Sequence, residues 1–241
     1  MSRRQKEVSS RHNHTSSMKL LAFDLDDTLY KERDYAVSGH NAVCSLLADK
    51  YGLDFQMLSD AMNRKGVNPF DSLMERIDAA GSTIDESIAE LVEVYRYHAP
   101  KISLPEETEA TLEYIKDKCR LALITDGRII TQTNKIVALG LDRFFSADNI
   151  FISEQTGHDK LHPHSFEALM GRYEDMDGYV YVGDNPAKDF LWPNRLGWLS
   201  VMLSDADKVN IHPQCVEKYD AEYRPSLTIN ALQELPEAIR L

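Results

Sequence analysis

Short runs of apolar residues recur along the chain from Met18 onward, and each run ends in small or polar residues. The first is Lys19-Leu20-Leu21-Ala22-Phe23, which stops at Asp24. A continuous apolar run of this length is typical of a strand that is buried on both faces, as in a parallel sheet. We therefore predict five strands, over residues 19–23, 120–125, 149–153, 178–183 and 198–203.

Segments with a helical pattern separate the later strands. One of them starts at Pro105, which is followed by Glu106 and Glu107, and proline and acidic residues are both favoured in the first turn of a helix. Helices are predicted over residues 105–118, 131–139, 164–173 and 186–196. Because strands and helices alternate, the predicted fold class is α/β, a Rossmann-like, doubly wound parallel sheet with helices on both faces. In such sheets the ligand site lies at the carboxyl ends of the strands.

The interval between the first two strands breaks this alternation. Residues 31–103 are too many for a loop, and their pattern is helical, with turn signals at Gly52, Gly66 and Gly81. Helices are predicted there over residues 38–50, 54–63, 69–79 and 84–97. We interpret the interval as an inserted helical cap domain that lies over the strand ends. The predicted domains are a disordered N-terminal extension at 1–17, a core at 18–30 and 104–241, and the cap at 31–103.

Composition and charge narrow the classes of function. Of the 241 residues, 43% are hydrophobic and 27% are charged, as in ordinary globular proteins. No apolar run approaches the roughly 18 residues of a membrane span, and the N-terminus lacks the apolar core of a signal peptide. We therefore expect a cytoplasmic protein without a membrane partner. The net charge of −12 is a poor match for a phosphate backbone, so we also expect no nucleic-acid partner.

The cysteines carry no evident chemistry. Cys44, Cys119 and Cys215 are odd in number and form no CxxC pair. This spacing argues against a disulfide framework and against a thiolate zinc site. We expect these side chains to behave as small buried apolar groups.

Polar clusters follow four of the predicted strands, and the first is Asp24-Leu25-Asp26-Asp27-Thr28. Alternation along an extended segment puts Asp24 and Asp26 on the same side. Two close carboxylates repel each other unless a cation lies between them or one of them is protonated. Both arrangements serve phosphoryl transfer, in which one carboxylate attacks phosphorus and the other moves a proton. The alternative is an acidic loop in which Asp27 or Thr28 caps a turn.

The second and third clusters offer groups that suit a phosphate. The segment Thr125-Asp126-Gly127-Arg128 supplies a hydroxyl and backbone N–H groups, although Asp-Gly is also a common turn. Lys160 precedes a predicted helix and can offset the charge of a phosphoryl group, although alone it would be a surface lysine. The neighbouring His158, His162 and His164 match no zinc spacing. We interpret them as loop and helix-start residues, with His162 a candidate near the substrate.

The fourth cluster is Gly183-Asp184-Asn185-Pro186-Ala187-Lys188-Asp189. Asp184 at a strand end can complete an oxygen ligand set for magnesium, which takes few protein ligands and keeps several waters. Asp189 follows about one helical turn later and can hold Lys160 or a bound water. A single motif of this kind does not by itself establish a metal site.

The chain thus contains four motifs, each after its own apolar strand: a DxDxT, a Thr, a Lys and a GDxxxxD. Together they resemble the haloacid dehalogenase superfamily of phosphotransferases. The resemblance extends from Met18 to the C-terminus. By this resemblance, Asp24 is the nucleophile, and Asp26 is the general acid and base, with its backbone carbonyl on a Mg²⁺ cofactor. Thr125 and Lys160 complete the catalytic set. The resemblance further implies phosphate binding by Asp126, Gly127 and Lys160, metal binding by Asp24, Asp26 and Asp184, and metal support by Asn185 and Asp189.

The resemblance also favours one activity within the superfamily. Dehalogenases lack a carboxylate two positions after the nucleophile, and phosphonate-cleaving members have a small residue there, whereas this chain has Asp26. Thr28 is usual in phosphatases, while sugar-phosphate mutases with this type of cap more often carry Val. The insertion resembles the helical type-1 (C1) cap, which favours small diffusible substrates. We therefore expect a Mg²⁺-dependent phosphomonoesterase that acts on a small phosphorylated metabolite, such as a sugar phosphate or nucleoside monophosphate, through an aspartyl-phosphate intermediate.

The sequence leaves alternatives open. A phosphomutase or phosphotransferase of the same superfamily, or a non-catalytic partner module, fits the same motifs, and the chain is either a monomer or a homodimer. Arg33 and Arg128 are candidates for substrate binding, although a solvated surface position fits each of them equally well. Further candidates are Tyr30, Lys31, Arg64, Lys65, Arg76, Arg96 and Gln132. Trp192 and Trp198 are expected to be packing residues.

Overall fold

The computed structural model describes residues 18–241, and this part of the chain contains one six-stranded sheet. All neighbouring strands are parallel, in the order β3-β2-β1-β4-β5-β6. The strands are β1 Lys19–Phe23, β2 Cys119–Thr125, β3 Ile150–Ile152, β4 Gly178–Gly183, β5 Leu199–Leu203 and β6 Leu227–Ile229. The predicted fold class is thereby confirmed.

Strand β1 lies at the centre of the sheet, between β2 and β4. Lys19 is in register with Cys119 on one side and with Gly178 on the other, so the carboxyl ends of the three strands meet at one edge. The chain runs from β1 to β3 in one direction and from β4 to β6 in the other, which makes the β1/β4 boundary the switch point of the sheet. Asp24 leaves β1 at this boundary, and its N–H donates to the carbonyl of Val182 at 2.8 Å.

Ten α-helices belong to the described residues. Four lie between β1 and β2: α1 Glu32–Tyr51, α2 Phe55–Met62, α3 Pro69–Ala79 and α4 Ile88–Tyr97. The others are α5 Glu106–Ile115, α6 Ile129–Ala138, α7 Ser153–Thr156, α8 His164–Arg172, α9 Leu191–Arg195 and α10 Leu235–Ala238. None of these helices is long and apolar enough to cross a membrane.

Burial on both faces of the sheet explains why the strands are apolar throughout. Leu21 and Phe23 belong to one buried cluster, whereas Leu20 and Ala22 belong to another on the opposite face. The first cluster includes side chains from α5, α6 and α10, and the second includes side chains from α8. Alternate residues of β1 therefore pack against different helical layers.

Helices α1 to α4 bury an apolar cluster of their own, which contains Val43, Leu58, Leu73 and Leu91. Side-chain caps begin three of these helices. Asp54 accepts the N–H of Met57 before α2, Asn68 accepts two N–H groups before α3, and Ser87 and Glu90 form a capping box at α4. The residue bounds of the predicted cap and core stay predictions, and the predicted N-terminal extension lies outside the described residues.

Several elements differ from their predicted bounds. Helix α1 begins at Glu32, six residues before the predicted start, and β6 was not predicted because its three residues, two of them exposed, give no apolar run. The predicted helix over 186–196 is shortened to Leu191–Arg195. Residues 186–188, in its first part, form a turn, and the N–H groups of Lys188 and Asp189 donate to the Asn185 carbonyl.

Candidate active site

A small cavity of about 80 Å³ lies at the carboxyl ends of β1, β2 and β4. Residues from all four predicted polar clusters line it together with Glu32 from α1 and His212 from a later loop. The lining residues are Asp24, Asp26, Asp27, Glu32, Thr125, Asp126, Lys160, Asp184, Asn185, Lys188 and His212. Groups that are more than 150 residues apart in the sequence thus converge at the switch point, where parallel sheets bind ligands.

Lys160 supplies the positive charge that opposes two buried carboxylates at the cavity. Its Nζ lies 2.8 Å from Asp24 Oδ1 and 2.6 Å from Asp189 Oδ1, and the three side chains are almost fully buried. Burial alone would lower the pKa of Lys160, but the carboxylates of Asp189 and Asp24 raise it well above its ordinary value. The lysine is therefore a permanent cation beside Asp24.

Asp189 is a fixed anchor for this lysine. Its Oδ2 accepts the N–H groups of Asp184 and Asn185 at 3.1 and 2.8 Å, while its Oδ1 accepts from Lys160. A Cβ atom on Gly183 would lie 2.5 Å from Asp189 Oδ2, so the carboxylate needs a glycine at that position. Both oxygens of Asp189 are thus engaged by the protein, which explains the spacing of the GDxxxxD motif.

Asp24 and Asp184 supply the carboxylates that fit a cation. Oxygen atoms of Asp24, Asp184 and Asp189 all lie within 4.8 Å of one another. Burial raises the pKa of Asp24 to about 7, with Lys160 opposing this shift and Asp189 adding to it. Burial also raises the pKa of Asp184 to about 9, with Asp189 and Asp24 adding to the shift. One lysine does not neutralise three buried carboxylates, so a divalent cation with oxygen ligands suits this cluster.

The carboxylate of Asp26 accepts hydrogen bonds from three side chains that lie outside the first motif. Lys135 Nζ lies 2.7 and 2.9 Å from the two carboxylate oxygens, Gln132 Nε2 lies 3.0 Å from Oδ2, and the Tyr30 hydroxyl lies 2.6 Å from Oδ1. Lys135 was not among the predicted site residues. The signal that points to it is the Gln-x-x-Lys spacing on α6, which places Gln132 and Lys135 on one face of the helix.

The predicted phosphate-binding segment after β2 is tied into the protein. Thr125 is buried, and its Oγ1 accepts from Gln132 Nε2 at 2.6 Å. The Gly127 N–H donates to Ser153 Oγ at 2.9 Å, and the φ of Gly127 is 150°, a value that favours glycine.

Asp126 connects the third and fourth motifs by hydrogen bonds. Its carboxylate accepts the Lys160 N–H at 3.1 Å and Lys188 Nζ at 2.9 Å. The predicted contacts of Thr125, Asp126 and Gly127 with phosphate stay predictions.

Asp27 joins the first motif to α1 and to a later loop. Its φ is 56°, in the left-handed region that Asp tolerates better than most residues. Its Oδ1 accepts the N–H of Glu32 at the start of α1, and its Oδ2 accepts the N–H of Ile211. Burial raises the pKa of Asp27.

That later loop, residues 205–214, belongs to the site and was not predicted from the sequence. Asn210 Nδ2 donates to Asp184 Oδ2 at 2.8 Å, and Gln214 Nε2 donates to the Asp184 carbonyl at 2.8 Å. Lys31 Nζ donates to Asn210 Oδ1 at 2.7 Å. The loop, which we call the Asn210 loop, therefore fixes Asp184 and brings His212 to the cavity. Its sequence carries no motif, because these contacts join residues that are far apart in the chain.

None of the predicted substrate candidates lines this cavity, although Tyr30 and Gln132 bond to Asp26, which does. Arg33 and Arg128 are exposed, and the cavity is lined by neither. Arg64 and Arg76 line a separate cleft between α2 and α3, and Gln132 is buried against Thr125 and Asp26. The titratable side chains that line the cavity besides the predicted site residues are Asp27, Glu32, Lys188 and His212.

The remaining side chains singled out in the sequence have packing positions. Trp198 is buried, and Trp192 is half-buried with its Nε1 donating to the Leu161 carbonyl. Cys44 and Cys119 are buried, as predicted, whereas Cys215 is only half-buried. His158 stacks on His162 with ring centroids 4.0 Å apart and is 4.8 Å from His164, outside the lining of the active-site cavity.

Comparisons with known proteins agree with this geometry. Residues 18–191 match the family of haloacid dehalogenase-like hydrolases. A glyceraldehyde 3-phosphate phosphatase from Methanocaldococcus jannaschii is 29% identical over an alignment of 233 positions that covers 92% of this chain and 97% of that protein. A glyceraldehyde 3-phosphate phosphatase from Methanopyrus kandleri is 26% identical over 238 residues, with 92% and 97% of the two chains covered.

Solved structures share the fold. A 2-haloacid dehalogenase from Pseudomonas syringae superposes with a TM-score of 0.60 at 24% identity, over 92% of this chain and 98% of that one. A haloacid dehalogenase-type phosphatase from Thermococcus onnurineus gives a TM-score of 0.56 at 22% identity, with the same coverage of 92% and 98%. Together with the match over residues 18–191, these findings show that the chain is an enzyme of the haloacid dehalogenase-like hydrolase family.

Proposed function

We propose that this protein is a Mg²⁺-dependent phosphomonoesterase that forms an aspartyl-phosphate on Asp24. The observation that carries the proposal is that Asp24 and Asp26 line one small cavity and that each carboxylate is bonded to its own buried lysine. In the proposed mechanism, Asp24 attacks phosphorus and Asp26 transfers the proton. This pair of roles is what hydrolysis through a covalent intermediate requires.

In the first step, an oxygen of Asp24 attacks phosphorus and the bond from phosphorus to the ester oxygen breaks. Lys160 offsets the repulsion between the Asp24 carboxylate and the dianionic phosphoryl group, since its Nζ lies 2.8 Å from Asp24 Oδ1. Asp26 gives its proton to the departing alkoxide. The products of this step are the free alcohol and the phosphorylated Asp24.

In the second step, Asp26 takes a proton from a water molecule, which attacks the phosphorus of the aspartyl-phosphate. The bond between phosphorus and the Asp24 oxygen breaks, inorganic phosphate leaves, and the Asp24 carboxylate is restored. Asp26 ends the cycle protonated, ready for the next substrate.

The carboxylates of Asp24 and Asp184, with the backbone carbonyl of Asp26, would hold the metal ion. All these donors are oxygen atoms, and they are few, as magnesium sites in proteins require. When bound, the ion supplies positive charge for the phosphoryl oxygens. Asn185 and Asp189 would support the site through the backbone of the fourth motif, where Asp189 accepts two N–H groups.

We further propose that the substrate is a small sugar phosphate. The two related proteins are glyceraldehyde 3-phosphate phosphatases, and the small cavity has room for a phosphoryl group rather than for a macromolecular surface. Helices α1 to α4 would act as the cap that encloses the rest of the substrate, because α1 begins at Glu32 on the cavity wall.

Release of inorganic phosphate from a panel of sugar phosphates and nucleoside monophosphates, with Mg²⁺ or with EDTA, tests the proposal. We expect release that needs Mg²⁺, is fastest for small sugar phosphates and is absent in Asp24→Asn. Equal release in the presence of EDTA, or activity that survives Asp24→Asn, would contradict it. Transfer of the phosphoryl group to a second hydroxyl of the sugar instead of to water would identify a phosphomutase.

A further inference from the structure

The pair of Lys135 and Asp26 is the feature of the site that the proposed mechanism leaves unexplained. Lys135 Nζ lies within 2.9 Å of both oxygens of the Asp26 carboxylate, and the two residues are 109 positions apart in the sequence. The lysine is 3% exposed, and the carboxylate retains 17% exposure on the cavity side of the pair. An ammonium group is unfavourable to bury, and an apolar residue of similar size would fill this position at less cost.

Tyr35 and Gln132 restrict the positions of the Lys135 and Asp26 side chains. The Nζ atom of Lys135 lies 4.5 Å from the centre of the Tyr35 ring, which fixes the lysine from the side of α1. Gln132 Nε2 donates both to Asp26 Oδ2 at 3.0 Å and to Thr125 Oγ1 at 2.6 Å. Gly127 permits this approach, since a Cβ there would lie 3.0 Å from the Gln132 side chain.

We propose that Lys135 is a positioning residue for Asp26, and that Gln132 links this position to Thr125. This inference rests on the proposed function, because it concerns the carboxylate that moves protons in both steps. Lys135 is absent from the lining of the cavity, so it acts on the reaction through Asp26 and not by contact with the substrate. Two bonds to the carboxylate fix its plane as well as its location, and proton transfer is sensitive to both.

The consequence differs between substrates with good and poor leaving groups. An alkyl alcohol leaves only when Asp26 protonates it, whereas 4-nitrophenolate leaves without a proton. Activation of water in the second step needs Asp26 for both substrates. When Asp26 is misplaced, an alkyl phosphate is therefore slow in both steps, while 4-nitrophenyl phosphate is slow only in the second.

The experiment compares Lys135→Met with wild type and with Lys116→Met, which changes an exposed lysine at the opposite end of β2. For glyceraldehyde 3-phosphate, we expect Lys135→Met to lower kcat by about tenfold to a hundredfold, because misplacement of a reacting group has effects of this size. KM should change little. For 4-nitrophenyl phosphate, a rapid burst approaching one nitrophenolate per active site should precede slow turnover.

Two further variants keep the test decisive if Lys135→Met is unstable. Lys135→Arg should recover part of the lost kcat, because a guanidinium can also bond both carboxylate oxygens and stack on Tyr35. In an Asp26→Asn background, replacing Lys135 should cause no further loss, since the two residues would act as a unit. Thermal unfolding and Mg²⁺ binding by calorimetry serve as controls for folding and for the metal site.

Wild-type kcat in Lys135→Met would overturn the inference. So would an equal loss on both substrates without a burst, or a full further loss in the Asp26→Asn background, because each would assign Lys135 a merely structural role. If the wild-type enzyme releases no phosphate from either substrate, the proposed function itself fails and the inference fails with it. The wild-type assay thus separates the two failures.

Discussion

Replacing Asp189 with Asn tests the charge balance beneath the candidate active site. Asp189 is fully buried, and its Oδ1 lies 2.6 Å from Lys160 Nζ. Asn keeps the shape of the side chain and removes the charge. If its carbonyl oxygen still accepts the N–H groups of Asp184 and Asn185, its NH₂ group faces the lysine, so two donors oppose each other.

The size of the effect follows from the burial of the pair. Removing one partner of a buried ion pair costs about 3–5 kcal/mol, and the lower end applies here because Lys160 keeps Asp24. For a chain of this length, 1 kcal/mol shifts the melting temperature by about 2–4 °C, so about 3 kcal/mol corresponds to a fall of about 6–12 °C. Turnover should fall as well, because Lys160 is no longer fixed beside Asp24.

Thermal unfolding followed by circular dichroism measures this change. Glu222→Gln is the matched control, since Arg195 and Glu222 form an ion pair at 2.7 Å with both side chains more than 40% exposed. Water screens an exposed pair, and we expect little change in that variant. A melting temperature in Asp189→Asn within the range of the control, with wild-type turnover, would refute the assignment of Asp189 as the anchor of Lys160.

Three further predictions concern the metal and the acid–base residue. The pKa is raised to about 7 for Asp24 and to about 9 for Asp184, so the metal-free folded chain binds protons more tightly than the unfolded chain. The stability of the metal-free chain should therefore fall as pH rises from about 4 to about 9. Mg²⁺ should then raise the melting temperature more at pH 8.5 than at pH 5.5, and an equal rise at both pH values would contradict the cluster as the metal site. Asn210→Leu removes the donor to Asp184 Oδ2 and should weaken Mg²⁺ binding by about tenfold or more in calorimetry, whereas an unchanged affinity would show that the Asn210 loop does not support the metal. Asp26→Asn should lose most turnover of sugar phosphates while it still binds Mg²⁺ through its backbone carbonyl, and wild-type rates in that variant would exclude Asp26 as the acid and base.

Five of the six strands, and the polar side chains that follow four of them, could be predicted because they are encoded locally. An apolar run that ends at Asp24, Thr125 or Asp184 gives the strand, its end and the side chain placed there. Helix α3 has its predicted bounds, Pro69–Ala79, because Asn68 and Pro69 form a strong local start signal. These elements need no knowledge of distant residues.

The support around the motifs could not be predicted, because it depends on pairs that only the fold brings together. Lys135 meets Asp26 across 109 residues, and Lys31 meets Asn210 across 179 residues. A lysine within an amphipathic helix and an asparagine within a polar loop are both ordinary surface residues in the sequence. Conversely, residues that are close to a motif in sequence need not lie at the cavity. Arg33 and Arg128 are two such residues, since neither of them lines it.

The most direct measurement of the proposed chemistry is the capture of the covalent intermediate. Asp26→Asn is mixed with 4-nitrophenyl phosphate and Mg²⁺, quenched in acid within the first turnover, digested, and analysed by peptide mass spectrometry. We expect a phosphoryl group on Asp24 at a level close to one per active site, because the first step proceeds and the second is blocked. Release of nitrophenolate with Asp24 unmodified, or with the phosphoryl group on another residue, would contradict Asp24 as the nucleophile.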